Sequence, residues 1–487
     1  MEFEPYTEQP RKSNKKKIVI IVLSIVLLLV GVGSVAAYIF LKGTSSQESR
    51  TTSKPAESDE LSVALKEDLG IDKKQYLKQA EDAYALGKYE ETASEETTYA
   101  GVYMDRDGTP NLNVTSKSAQ ESAQASGNLP DETKINIVEK SLTELKDTAS
   151  KTEDWVTTLD PTRQSQIAGI GTDITSNEVV IVAKSADSVR FEDSDKPADL
   201  ENVTIIEAQG NTEPIYPTPF EISNPVVSTR GSTAVEYVAQ TNASLPTKPL
   251  SNTAMYGGDG YGIGGKLPDG SIGKMFCSLG FNGTDAQNKP IVFTAGHCST
   301  GVDASVRDHP TVSSRLKIAD GENMSNTEFG QFAGNKSSAG SDVAIIKVTN
   351  LASRFKNNKV RTGATSTAAI TGTAKPVPGM PVCKFGRTTG YTCGRGAIGG
   401  ISLPVGGTWY KNLFITNTCA RPGDSGGAVF SGNRALGVMT GGPMILGTST
   451  ASCFKNDFLS VLLGRISYVT PIDDALRLFP GTKLNVK

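Results

Sequence analysis

Beyond residue 250 the sequence predicts an all-β domain, set behind an α+β region and one membrane-spanning helix. Three observations carry this. Of 49 glycines, 37 lie in 251–487, a density that suits many short strands joined by tight turns. Apolar runs of strand length recur there, at 291–294, 343–348, 413–416, 427–430 and 435–440, while only 471–478 reads as helix. Near the start, residues 18–41 form an uncharged apolar run of 24 residues. At ~1.5 Å per residue it spans about 36 Å, enough for a hydrocarbon core of ~30 Å.

The tail before that run, 1–17, holds Arg11, Lys12, Lys15, Lys16 and Lys17, and Lys42 follows it. Ser34-Val-Ala36 has the small residues of a signal-peptidase site, but the apolar run continues to Leu41, too long for a signal core. The span is therefore read as an uncleaved signal anchor, with the basic tail in the cytoplasm and the rest of the chain exported. Release of a mature domain outside the cell remains compatible with this reading.

Residues 42–58 are Ser/Thr-rich and read as a stalk. Leu61, Leu65 and Leu69 then recur at helical spacing, with Gly70 as a stop. Asp72 is placed to cap a second helix that carries Tyr76, Leu77, Ala80, Ala83 and Tyr84 and ends near Gly87. Strand-like runs follow at 101–104, 111–115, 134–138, 178–183 and 202–206. Ser141 and Glu144 have the spacing of a capping box for a helix toward Trp155. Prolines 214, 217, 219, 225, 246 and 249 mark a linker-like trailing edge.

Charge and cysteine divide at the same boundary. Residues 43–250 hold 36 acidic and 19 basic side chains, a balance of −17, whereas 251–487 hold 13 and 24, a balance of +11. The basic residues are scattered, which argues against nucleic acid as a partner and for the acidic segment of the same chain. All six cysteines lie between 277 and 453, an even set in an exported domain that suggests disulfides. Zinc is disfavoured, because no Cys-x-x-Cys spacing occurs and the only adjacent Cys/His pair is His297-Cys298. No metal and no cofactor are expected.

The reactive chemistry is concentrated in Gly423-Asp424-Ser425-Gly426-Gly427. A serine hydroxyl needs a base to take its proton and donors to hold the oxyanion that forms. Glycines permit a sharp turn that aims the Gly423 and Ser425 amides into one pocket. The chain has two histidines. His297, in Thr294-Ala-Gly-His297-Cys298 after an apolar strand, is the candidate base; His309, in Arg307-Asp-His-Pro, reads as an exposed turn. Ser341-Asp342-Val-Ala supplies the carboxylate that orients the imidazole. The chain order His297, Asp342, Ser425 is that of chymotrypsin-like enzymes.

Longer stretches carry a likeness. Cys277-Ser-Leu-Gly-Phe-Asn, Thr294-Ala-Gly-His-Cys298, Cys383-Lys-Phe-Gly-Arg-Thr-Thr-Gly-Tyr-Thr-Cys393-Gly, Cys419-Ala-Arg-Pro-Gly-Asp-Ser-Gly-Gly and Gly437-Val-Met-Thr-Gly-Gly442 resemble the bacterial serine proteases of the streptogrisin and α-lytic type, over 255–487. Leu65-Lys-Glu-Asp-Leu-Gly-Ile-Asp, Ala100-Gly-Val-Tyr-Met-Asp-Arg-Asp-Gly and Ile170-Gly-Thr-Asp-Ile-Thr-Ser-Asn-Glu-Val-Val resemble the same family's pro-segment, assigned to 59–250.

The resemblance implies two six-stranded antiparallel β-barrels of trypsin type with the active site between them. It implies the disulfides Cys277–Cys298, Cys383–Cys393 and Cys419–Cys453. It implies a pro-segment that assists folding and then inhibits until cut away, with a mature start near Met255, before Tyr256-Gly-Gly-Asp. Thr440, Gly441 and Gly442 would pair with polypeptide substrate as an edge strand, and Met439 would fall at the primary specificity pocket. With no carboxylate near Cys419 and no histidine there, a small-to-medium apolar P1 residue is expected. The N-terminal anchor departs from the family pattern. The competing reading is a catalytically silent, membrane-tethered binding or sensor protein on the same fold.

Overall fold

The computed structural model describes residues 60–183, 200, 203–207, 213–214, 254–266, 272–299, 311–313, 324–337, 340–363, 365–396, 398–405, 408–441, 443–444 and 467–486. All of them belong to one compact unit, Ser58–Lys487. Among the described residues no helix is long and apolar enough to cross a membrane; the span expected over 18–41 lies outside them.

Local signals set the N-terminal elements. A helix Glu60–Ala64 runs into a π turn Leu65–Leu69, and Gly70 ends it in the left-handed conformation, φ 72°. Asp72 caps the helix Lys73–Ala93 through a reciprocal box with Gln75. That helix continues past Gly87 instead of stopping there. A Cβ on Gly87 would lie 3.5 Å from the Lys375 side chain, so the glycine marks where the helix meets the 375–377 segment. Ser141 and Glu144 form the expected box for Leu142–Thr158. Elements not foreseen include the helix Lys117–Ser126, capped by Ser116, the short helix Pro161–Ser165, capped by Asp160, and the strand Ile167–Asp173.

Tyr99–Met104, Pro110–Val114 and Lys134–Ile137 make a three-stranded sheet. In the C-terminal half the described elements are almost all short β-strands. One sheet of five joins Gly330–Asn335, Ala344–Val348, Pro290–Thr294, Asn282–Thr284 and Lys483–Leu484, in that order. One of four joins Met324–Glu328, Thr311–Ser313, Gly260–Lys266 and Ile272–Ser278.

Among the described residues, the remaining large sheet does not show the closed six-stranded barrel expected from the resemblance. Its order runs Gly390–Arg395, Pro381–Gly386, Ala428–Ser431, Arg434–Gly441, Ser467–Pro471, Thr408–Thr416 and Gly399–Val405. It then continues into the N-terminal strands Ile167–Asp173, Glu178–Ala183 and Val203–Glu207. The seam is antiparallel, with Gly399 opposite Thr172 and Ser402 opposite Ile170. An edge that would otherwise expose unpaired backbone groups is thereby covered.

One apolar core crosses the same boundary. Leu86, Val102, Leu145 and Ile170 share a cluster with Val377, Phe414, Val429 and Met439. Leu65 and Tyr76 join Phe281, Cys383 and Phe430 in another. Tyr76 also accepts a hydrogen bond from the Gly432 amide at 2.8 Å.

Two carboxyl groups near this contact titrate above their ordinary range. Burial raises Glu90 against the pull of Lys375 and Lys146. Asp473 keeps an exposed surface and is less shielded from solvent; partial burial raises it, with Glu91 of the facing helix adding to it. A carboxyl raised in the folded state contributes stability in its protonated form, present below the ordinary value and lost as pH rises through the raised one. Thermal stability should therefore fall from Glu90 as pH rises from about 4 toward neutrality. In Glu90→Gln that part of the slope should vanish, as melting curves across this range would read. Parallel slopes in the two proteins would refute it.

Candidate active site

Sheet register brings the histidine and the aspartate together. His297 lies on the 3₁₀ turn Gly296–Ser299 that follows strand Pro290–Thr294, and Asp342 ends the loop before strand Ala344–Val348. Those strands pair antiparallel, Phe293 opposite Ile345 and Thr294 opposite Ala344, so the two loops emerge side by side. Asp342 is fully buried and His297 nearly so. The carboxylate takes the His297 amide on Oδ1 at 2.7 Å and the ring Nδ1 on Oδ2 at 2.8 Å. An ionised carboxylate only accepts, so Nδ1 carries the hydrogen and Nε2 of the neutral ring is the basic atom. A Cβ on Gly296 would lie 2.9 Å from the Val343 amide and 3.1 Å from Asp342 Oδ1; only glycine permits this approach.

The serine turn is anchored from several sides. Gly423 and Gly426 have φ of 95° and 82°, which favours glycine. The Ser425 carbonyl accepts from the Ser278 amide at 2.7 Å, and the Ser278 hydroxyl donates to the Gly423 carbonyl at 2.7 Å. The Gly426 amide donates to the Met439 carbonyl at 2.7 Å. Cys298, directly after His297, has its Sγ 3.9 Å from the Ser425 carbonyl oxygen. The turn thus lies against the histidine loop on one side and strand Arg434–Gly441 on the other. Among the described residues, no group accepts a hydrogen bond from the Gly423 or Ser425 amide.

Asp424, beside the nucleophile, is fully buried and faces inward. Its Oδ1 accepts from the Thr388 and Thr389 amides at 2.9 and 3.0 Å; its Oδ2 accepts from the Arg421 amide at 3.0 Å and the Thr389 hydroxyl at 2.5 Å. The wholly buried Lys384 ammonium reaches the same Oδ2 at 3.2 Å and also donates to Thr389 Oγ1 and to the Gly390 carbonyl. Burial pushes Lys384 below the usual lysine value, while the Asp424 charge, and less strongly that of Asp68, pushes back.

Sequence reasoning missed Lys384, although a lysine between Cys383 and Phe385 in an otherwise apolar strand was a visible signal. It also missed Thr470, whose hydroxyl donates to the Asp342 carbonyl at 3.3 Å and lies 2.8 Å from the Thr440 hydroxyl. Only a tertiary contact reveals that pairing.

The other expected positions divide. Met439 is fully buried in the core with Phe414, Val429 and Val469. Thr440 is buried and Gly441 half-buried on a strand whose pairing with Ala428–Ser431 ends at Val438. Gly442, His309 and Cys453 lie outside the described residues. Cys277–Cys298 and Cys383–Cys393 are bonded, and Cys419 is disulfide-bonded as well. Cys277, His297 and Cys298 cluster, but the two sulfurs are joined to each other and are not the thiolates a metal requires.

The family profile described as Trypsin matches residues 274–454. Serine protease 2 of Streptomyces fradiae is 34% identical over 169 residues, which are 34% of this chain and 86% of that protein. Streptogrisin-D of Streptomyces griseus is 32% identical over 167 residues, 34% of this chain and 38% of that protein. The crystal structure of Nocardiopsis protease is 24% identical and covers 48% of this chain and 100% of its own, with a TM-score of 0.36. On the sequence matches, the chain belongs to the trypsin-like serine proteases. It is a serine endopeptidase.

Proposed function

We propose that the chain is the precursor of an exported serine endopeptidase that uses Ser425, His297 and Asp342. Ser425 Oγ attacks the peptide carbonyl as His297 Nε2 takes its proton and then passes it to the leaving amine. Asp342 holds the tautomer and stabilises the imidazolium, and the Gly423 and Ser425 amides hold the oxyanion. The observation that carries this is the double hold of one buried carboxylate on the His297 amide and Nδ1. Substrate would run along Thr440, Gly441 and Gly442, with an apolar P1 residue.

Residues 59–250 are read as an inhibitory pro-segment, on an anchor at 18–41 that places the protease outside the membrane. Two strand additions support this: Ile167–Asp173 on the 399–405 edge, and Glu213–Pro214 against Pro443–Met444, next to the proposed substrate strand. Cleavage before Met255 suits that residue's anchoring. Its amide donates to the Arg354 carbonyl at 2.8 Å, and its carbonyl accepts from Asn282 Nδ2 at 2.9 Å.

A fluorophosphonate should label the active enzyme at Ser425 and leave Ser425→Ala unlabelled, and N-terminal sequencing of labelled material should begin at Met255. Labelling of Ser425→Ala at another residue would overturn the nucleophile. Labelled, active enzyme still carrying 59–250 would overturn the pro-segment.

A further inference from the structure

The catalytic half holds one carboxylate of the N-terminal region with two of its own side chains. Glu153, on helix Leu142–Thr158, accepts from the Ser402 hydroxyl on Oε1 and from Lys411 Nζ on Oε2, the latter at 2.8 Å. Ser402 and Lys411 sit on the two strands of one antiparallel hairpin, Gly399–Val405 and Thr408–Thr416. Ser402 is 3% exposed between buried Ile401 and Leu403, and against a carboxylate, which only accepts, its hydroxyl is the donor. The Lys411 side chain is 61% exposed and reaches the carboxylate from the solvent side. A neutral donor beside a cation, each on its own oxygen, is a matched receptor for a carboxylate.

The location matters as much as the donors. The Lys411 amide donates to the Gly340 carbonyl at 2.8 Å, in the loop that leads into Asp342. Tyr410, next in chain, is buried, and the Asp342 charge adds to the burial that raises its hydroxyl pKa. The hairpin is thus fastened to the loop that carries Asp342.

We propose that Ser402 and Lys411 form a subsite for a glutamate or aspartate side chain of the polypeptide substrate, and that Glu153 fills it in the precursor. This rests on the reading of 59–250 as a removable pro-segment. Both donors belong to the half that stays with Ser425, so loss of the N-terminal region leaves a receptor without its carboxylate. The balance of +11 in 251–487 favours acidic chains in the same sense.

The test uses enzyme that has matured from the full-length chain. Paired peptides carry Glu or Gln at each position in turn on either side of the cleaved bond. Glutamate should be preferred at one position by about five-fold in kcat/KM at low salt, the upper range for one solvent-exposed ion pair. Lys411→Met should bring that ratio close to one, and Ser402→Ala should lower it in part. A ratio taken within one preparation does not depend on how much of it has folded.

A wild-type enzyme indifferent to glutamate at every position would overturn the proposal, as would an unchanged ratio in Lys411→Met. If Glu153→Gln loosens inhibition while the mature enzyme ignores acidic residues, the contact only docks the pro-segment and the subsite is refuted. If active enzyme keeps 59–250, the pro-segment reading fails and a Glu153→Ala chain, which empties the receptor, becomes the measure. A Glu preference there supports the subsite, and indifference overturns it.

Discussion

Ser425→Ala and His297→Ala should each lower kcat/KM by about 10⁶-fold, the loss typical when one member of such a triad is removed. His309→Ala should stay within about three-fold of the wild type, because a side chain outside the reacting groups leaves the barrier almost unchanged. The expectation for His297 stands on its contact with Asp342 through both Nδ1 and the main-chain amide. Each variant also changes maturation if the enzyme cuts itself. Active-site titration of folded protein should therefore accompany the rates, so that absence of processing is not mistaken for absence of chemistry. A His309→Ala enzyme as inactive as His297→Ala would reassign the base.

Lys384→Met should cost about 3–5 kcal/mol of stability, because it leaves the fully buried Asp424 without its cation. The Thr388, Thr389 and Arg421 amides and the Thr389 hydroxyl still serve the carboxylate, which keeps the cost from being larger. Activity should fall further than stability alone explains. Asp424 sits between the two residues whose amides are assigned to the oxyanion, and loss of one oxyanion donor costs about 10²–10³-fold in kcat. Lys384→Arg keeps the charge and should restore part of both. Urea midpoints and kcat measured on the same preparations would check this. A Lys384→Met enzyme with wild-type stability and kcat would show that the pair does not hold the turn.

The sequence by itself determined what depends on neighbours in the chain. Asp72 with Gln75 and Ser141 with Glu144 start their helices because the capping groups are three residues apart. The Gly-Asp-Ser-Gly-Gly turn was legible because its conformation needs glycine at particular positions, and φ of 95° and 82° at Gly423 and Gly426 meets that need. Gly87 misled: read locally it is a helix stop, whereas the helix runs on to Ala93, and a Cβ at Gly87 would stand at ordinary contact distance from Lys375 and Val377.

What only the tertiary structure decided depends on register between distant strands. Ile167–Asp173 was not foreseen as a strand, and nothing local says that it completes the edge of the 399–405 strand. Lys384 and Asp424 meet because strand Pro381–Gly386 pairs with Ala428–Ser431, which places the lysine under the turn that precedes its partner strand. Thr470 reaches Asp342 only through the packing of the large sheet of the catalytic half against its five-stranded one, and Glu153 finds Ser402 and Lys411 only once helix and hairpin have docked. The physical reason is common to all of these. Backbone propensity and capping act over a few residues, whereas a buried charge finds its partner through the pairing of strands and helices far apart in the chain.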